Sequence, residues 1–200
     1  ILNTTEIAKK CNFNLLHDID YKFPSYKILN GYSDQEWLET ICRDEAIKRY
    51  QNLGKKIHGV SVTQRLNEEF NLVKKHNLAG FFLIYHDLAK MAKQIAINIS
   101  GGNITSFSNG IQAGRGRGSS VAMLIGYLIG ISHIDPMEFK LSLERFMPDD
   151  SIDGVIPDID LDFPRNIREK LIEQIHKQWG PSRAAMVGMI STYTFSGAIK

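Results

Sequence analysis

The junction between GRGRGSS (residues 114–120) and the apolar run VAMLIGYLIGI (121–131) constrains this chain more than any other feature. Glycines alone mark a turn, and arginines alone mark a solvated surface. Together, directly ahead of a stretch that must be buried, they describe a backbone bending closely around something anionic. The spacing predicts a returning strand at IQAG, then a loop, then a helix capped by Ser119 or Ser120. Unpaired N–H groups and the dipole at such a helix start attract phosphate. Gly116 and Gly118 let backbone approach a ligand, Arg117 offers a two-pronged phosphate donor, and Ser119 adds a hydroxyl. The loop is not a Walker A sequence, because no Lys precedes the Ser, nor G-x-G-x-x-G, because position 121 is Val. An exposed turn with incidental arginines is the competing reading.

A second motif has the opposite charge. GVIPDIDLDF (154–163) alternates apolar and acidic residues at period two, the pattern of a strand with one carboxylate face. Asp158, Asp160 and Asp162 then point the same way, with alternate Cα atoms roughly 6.5–7 Å apart. Like charges that close repel, so the face favours cations between them. Such carboxylates suit two Mg²⁺ ions roughly 3.5–4 Å apart, the arrangement of phosphoryl-transfer sites. An EF-hand register exists on Asp158, Asp160, Asp162 and Glu169, but the required Gly is Phe163, and Ile159 and Leu161 belong in a core. A calcium loop is therefore excluded. A solvated acidic strand face remains the plain alternative.

Composition bounds the rest. Two hundred residues at 43% hydrophobic content can bury a core, and a formal net charge of +2 confines any nucleic-acid surface to a local patch. Cys11 and Cys42 lack zinc-site spacing and read as reduced thiols, as expected in the cytoplasm. No apolar stretch reaches the ~18 residues of a membrane span. The chain starts at Ile1, shows no signal-peptide pattern, and reads as cut at both ends.

Along the chain, TTEIAKKC predicts a short helical turn, and Ser33 with Glu36 forms a capping box for a helix striped by Trp37, Ile41 and Ala46, with Leu38 and Cys42 beside them. Val62, Leu66, Phe70 and Val73 define a second helix over 61–76; Phe81, Tyr85, Leu88 and Ala92 favour a third. IAINIS reads as a strand and GGNITSFSNG as a loop. Asp135-Pro136 opens a helical turn, and Ile167, Leu171, Ile175 and Trp179 stripe a helix closed by Gly180-Pro181. AAMVGMIST reads as a further strand. Strands and helices that mix without strict alternation predict an α+β fold, a mixed sheet with flanking helices. Trp37 and Trp179 are expected in the core, and the six histidines show no metal spacing.

A basic loop for phosphates and paired carboxylates for metals are the two halves of a nucleotidyl-transfer site. GRGSS, GISHIDPMEFKLSLERF and PDIDLDFP, in that order, resemble the palm of the C-family DNA polymerases, the bacterial DNA polymerase III alpha subunit and its relatives. GFFLIYHDLAKMAK and the looser NTTEIAKKCNFNL match as well, so the resemblance covers most of the chain, while RAAMVGMISTYTFSGAIK looks closer to the error-prone branch. It implies a palm of the polymerase-beta nucleotidyltransferase type, in which Asp158 and Asp160 hold two Mg²⁺ ions. Arg117, Gly118 and Ser119 match the loop facing the incoming triphosphate, and Arg145 matches the arginine of the E-R-F motif beside it. Asp162 is a weaker candidate ligand. The implied partners are primer-template DNA, deoxynucleoside triphosphates and, through regions outside this chain, other replisome subunits; no membrane is implied.

The resemblance also divides the chain into a helical lead-in (1–60), the palm core (61–190) and the start of a thumb (191–200). Departures are local. Met147 is followed by Pro148 and DDSIDGVI where the family has Asn-Pro, the approach to the aspartates is two residues longer, and GGNITSFSNG looks like an extension. The family's third catalytic aspartate falls downstream of this chain, so the fragment alone is expected to be inactive. A non-enzymatic nucleic-acid-binding module is the alternative.

Overall fold

A computed structural model describes residues 2–14, 26, 31–101, 114–143, 158–188, 190 and 192. The first helix, α1 (Leu2–Lys10), is followed by α2 (Asp34–Tyr50). The capping box forms: Ser33 Oγ accepts from the Glu36 amide at 3.3 Å, and Glu36 Oε2 accepts from the Ser33 amide at 2.8 Å. Leu38, Cys42, Ala46 and Tyr50 form the buried face of α2, while Trp37 and Ile41 lie at its half-buried margin. Trp179 is likewise only half-buried, so neither tryptophan is a core residue.

A tight hairpin follows, β1 (Lys56–Ile57) paired antiparallel with β2 (Val60–Ser61). Its two turn residues, His58 and Gly59, both take positive φ (51° and 87°), as the twist of a two-residue hairpin requires. Ser61 then caps α3 (Val62–Lys75), whose Val62, Leu66, Phe70 and Val73 are all buried as their spacing predicts. These side chains meet α2, α4 (Ala79–Ile99) and α5 (Leu124–Leu128) in one core containing Phe82, Leu83, Met123 and Ile125.

IAINIS is not a strand; it is the last part of α4. The β-branched residues are overridden by packing, because Ala92, Ile95 and Ala96 continue a helical stripe that closes on Ile167 and Leu171 of α6 (Arg165–Trp179). Burying Ile95, Ile167 and Leu171 contributes about 1.5–3 kcal/mol each. That contact anchors α6 independently of the small sheet before it.

The remaining strands are β3 (Arg115–Arg117) and β4 (Asp160–Asp162). Among the described residues, the strands form two separate two-stranded antiparallel sheets rather than one mixed sheet. AAMVGMIST was expected as a strand, yet residues 184–188 are irregular, and Met186 (63%) and Val187 (93%) stand exposed. No described strand lies beside them to satisfy their backbone, and strand propensity alone does not form a ladder. The architecture is α+β, dominated by helix.

The helix expected after the glycine loop is also shorter than its apolar run suggests. Gly118–Ala122 winds as a 3₁₀ turn, and α5 holds five residues. Gly130, at φ +92°, ends it: the Ile131 amide donates to Gly126 O at 2.8 Å and the Gly130 amide to Tyr127 O at 3.4 Å. This is a Schellman closure, and it turns the chain back toward β3. Asp135 caps a single turn, accepting from the Met137 amide at 2.8 Å, as the Asp135-Pro136 pair predicts. Among the described residues, no helix is long and apolar enough to cross a membrane.

Candidate functional site

The basic and acidic motifs meet as neighbouring strands. In the β3/β4 ladder, Arg115 faces Asp162, Gly116 faces Leu161, and Arg117 faces Asp160. Alternation sorts the side chains. Gly116, Ile159 and, partly, Leu161 turn toward the core, while Arg115, Arg117, Asp158, Asp160 and Asp162 are exposed. The shared carboxylate face expected from the sequence is therefore present, with two guanidinium groups alongside.

Arg117 reaches diagonally to Asp162, Nε to Oδ2, at 2.9 Å. Both side chains are 58% exposed, so the pair orients more than it stabilises, at about 0.2–1 kcal/mol. Neither Asp158 nor Asp160 has an ion-pair or hydrogen-bond partner for its carboxylate among the described residues. Asp158 and Asp160 are thus the carboxylates of this motif left open to solvent, with Asp162 held by arginine. Among the described residues, no group of three or more His, Cys, Asp or Glu side chains is gathered to hold a metal ion.

The glycines divide the work differently from the sequence expectation. A Cβ at Gly116 would lie 2.9 Å from both Ile131 Cγ2 and Ile131 O, and the Gly116 amide donates to that same oxygen at 2.8 Å. Gly116 thus admits the chain's own Schellman turn, not a ligand. At Gly114 the same space is filled by the Phe163 ring. Gly118 is different: it takes φ +73°, and a Cβ there would meet nothing within 4 Å, so it makes the bend and leaves open space beside it. Ser119 is half-buried in the 3₁₀ turn. The capping role assigned to Ser119 or Ser120 falls to neither: Arg117 occupies the N-cap, and Ser120 Oγ instead donates back to Arg117 O at 2.8 Å. With five-residue helices here, an extended helix dipole does not contribute to the site. Arg145 lies outside the described residues.

Two residues have supporting roles that the sequence does not reveal. Glu69 of α3 is fully buried, and Arg65 Nε meets its Oε1 at 2.7 Å. Its two oxygens also accept the Leu124 and Ile125 amides, each at 2.8 Å, while Arg65 Nη2 donates to Ala122 O at 2.9 Å. This clasp satisfies the start of α5 and fixes the segment leaving the glycine loop. Burial pushes the Glu69 carboxyl above its usual range, against the pull of Arg65 and the two amides. A signal of its burial was available: position 69 falls on the helical stripe of Val62, Leu66 and Val73. Tyr85 is the other residue. Its hydroxyl donates to Ile159 O at 3.2 Å, bracing the backbone between Asp158 and Asp160.

Residues 36–200 match the model of the bacterial DNA polymerase III alpha NTPase domain. The chain belongs to that family. The DNA polymerase III subunit alpha of Caulobacter vibrioides is 30% identical over 185 residues, covering 92% of this chain and 15% of that protein. That of Halalkalibacterium halodurans is 28% identical over 198 residues, 99% of this chain and 16% of the relative. The error-prone DNA polymerase of Vibrio campbellii is 29% identical over 198 residues, 98% of this chain and 17% of the relative. The chain thus spans 15–17% of the length of these relatives.

Proposed function

We propose that this chain is part of the catalytic palm of a DNA-directed DNA polymerase that adds deoxynucleotides to a primer 3′ end on a DNA template. The observation that carries the reading is the pairing of β3 with β4, which sets Arg117 opposite Asp160 and leaves Asp158 and Asp160 open on one face. Family membership supports it independently. Asp158 and Asp160 are the residues that hold the divalent cations, two Mg²⁺ ions completed by a third carboxylate from outside this chain. Those ions, when bound, supply acidification of the primer hydroxyl and charge neutralisation on the triphosphate.

The chain's own residues do the placing. The β4 ladder places Asp160, Asp158 stands two residues earlier on the approach to that strand, and Tyr85 holds the carbonyl between them. Arg117, Gly118 and Ser119 take the triphosphate, with Arg145 beside them, while Asp162 keeps Arg117 oriented. On this reading residues 1–60 lead into the palm, 61–190 form its core, and 191–200 begin a thumb. The palm is of the polymerase-beta nucleotidyltransferase type, working in the cytoplasm on primer-template DNA beside other replisome subunits.

The test is primer extension by the full-length polymerase carrying Asp158→Asn or Asp160→Asn. Each change should lower Mg²⁺-dependent nucleotide addition by on the order of 10²–10³-fold or more, with primer-template binding retained. Near-normal turnover in either variant would leave the acidic strand a solvated face and favour a nucleic-acid-binding module without catalysis.

A further inference from the structure

Lining the same hollow as Gly118 and Ser119 is Lys140, which lies within GISHIDPMEFKLSLERF but is given no role by the resemblance. Lys140 ends the turn that Asp135 caps, where the Leu141 amide donates to Pro136 O at 3.0 Å. That six-residue closure puts Lys140 in the left-handed region, at φ +53°. Glycine or asparagine suits such a position best, because a side chain there crowds its own backbone. Local folding therefore favours a smaller residue, and the lysine adds only its charge and reach.

Lys140 borders an open hollow of about 750 Å³. Gly118, Ser119, Val121 and Ala122 form one wall; Lys140, Leu141 and Ser142 form the other. Lys140 is the only charged side chain among these lining residues, and it has no ion-pair partner among the described residues. The hollow begins where Gly118 leaves space beside the backbone. Two hydroxyls, small side chains and one unneutralised ammonium suit a polyphosphate, whose several oxygens take donors from both walls.

We propose that Lys140 is a triphosphate-binding residue, its ammonium facing Gly118 and Ser119 across this hollow and holding the polyphosphate of the incoming nucleotide. The proposal rests on the polymerase reading above and adds a residue to it. It also sets stability against binding: Lys140→Gly relieves the backbone but removes the cation.

The full-length polymerase carrying Lys140→Gly, Lys140→Arg or Arg117→Ala is compared with wild type in three measurements: the deoxynucleotide KM and kcat in primer extension, the primer-template Kd, and the Tm. Lys140→Gly should raise the nucleotide KM about tenfold, the effect of one lost charged contact, with the change in KM rather than kcat. Its Tm should hold or rise, and Lys140→Arg should recover most of the KM. An unchanged KM in Lys140→Gly beside a raised KM in Arg117→Ala would overturn the role of Lys140 while leaving the loop assignment standing. Unchanged KM in both would overturn the loop assignment as well. A weakened primer-template Kd with normal KM would move the phosphate to DNA and refute the proposal. A Tm that falls together with nucleotide affinity would make Lys140 structural and refute it too.

Discussion

Glu69 shows how one buried residue holds the segment that leaves the glycine loop. Its fully buried carboxylate holds the partly buried Arg65 and two backbone amides, so deleting it removes the ion-pair partner of one cation and the acceptor of two donors at once. Glu69→Ala should cost about 3–5 kcal/mol in urea denaturation, and adding Arg65→Met should recover part of that loss. A change below about 1 kcal/mol would mean that the clasp is not formed in solution. Histidine gives a second expectation. Burial, reinforced by Lys90, holds His86 below its ordinary value of 6.5, and burial with Arg115 does the same for His133. As pH falls through that value the unfolded chain takes up protons before the folded one, so stability drops toward acid. Tm measured from pH 7.5 downward (roughly one unit either side of an ordinary His) should fall less steeply in His86→Gln than in wild type. Equal slopes would place His86 in contact with water.

At the scale of elements, the β3/β4 ladder is the joint on which the site depends, and it is short. A two-stranded ribbon is marginal by itself. It survives because Gly116 lets Ile131 press against β3 while Tyr85 holds Ile159 from behind. Gly116→Ala should therefore disturb the ladder: its methyl meets Ile131 backbone as well as side chain, and overpacking of this kind costs about 1–3 kcal/mol. Nucleotide addition should fall with stability, and normal Tm and turnover in that variant would contradict the packing.

What was legible in the sequence follows the range of the forces. Ser33 and the stripe of α3 were readable because caps and periodicity are local. The carboxylate face of β4 was readable for the same reason. IAINIS was misread because its helical state depends on Ile167 and Leu171, some seventy residues on, and Gly116 because its close neighbour is Ile131 rather than a ligand. Glu69 sat on the apolar stripe in plain view, but only the α5 amides explain why a carboxylate belongs there.

At the scale of the whole molecule, the core of α2–α5 and the α4–α6 contact give this chain two buried clusters of its own. The site assembled on them has two open carboxylates, and the proposed mechanism calls for a third from elsewhere. The 200-residue chain alone should accordingly show no templated extension with labelled primer-template, Mg²⁺ and four deoxynucleotides, since losing one ligand removes much of the preorganisation that catalysis needs. Sustained extension abolished by Asp158→Asn would show that the missing carboxylate lies within these residues. The central claim, that Asp158 and Asp160 hold the catalytic metals, is tested most directly by locating a bound cation chemically. Fe²⁺ substituted for Mg²⁺ in the full-length polymerase, with ascorbate and peroxide, cuts the backbone beside the metal. The account predicts cuts at residues 158–160 that excess Mg²⁺ suppresses and Asp160→Asn removes; Mg²⁺-suppressible cuts confined to other segments, with β4 intact, would contradict it.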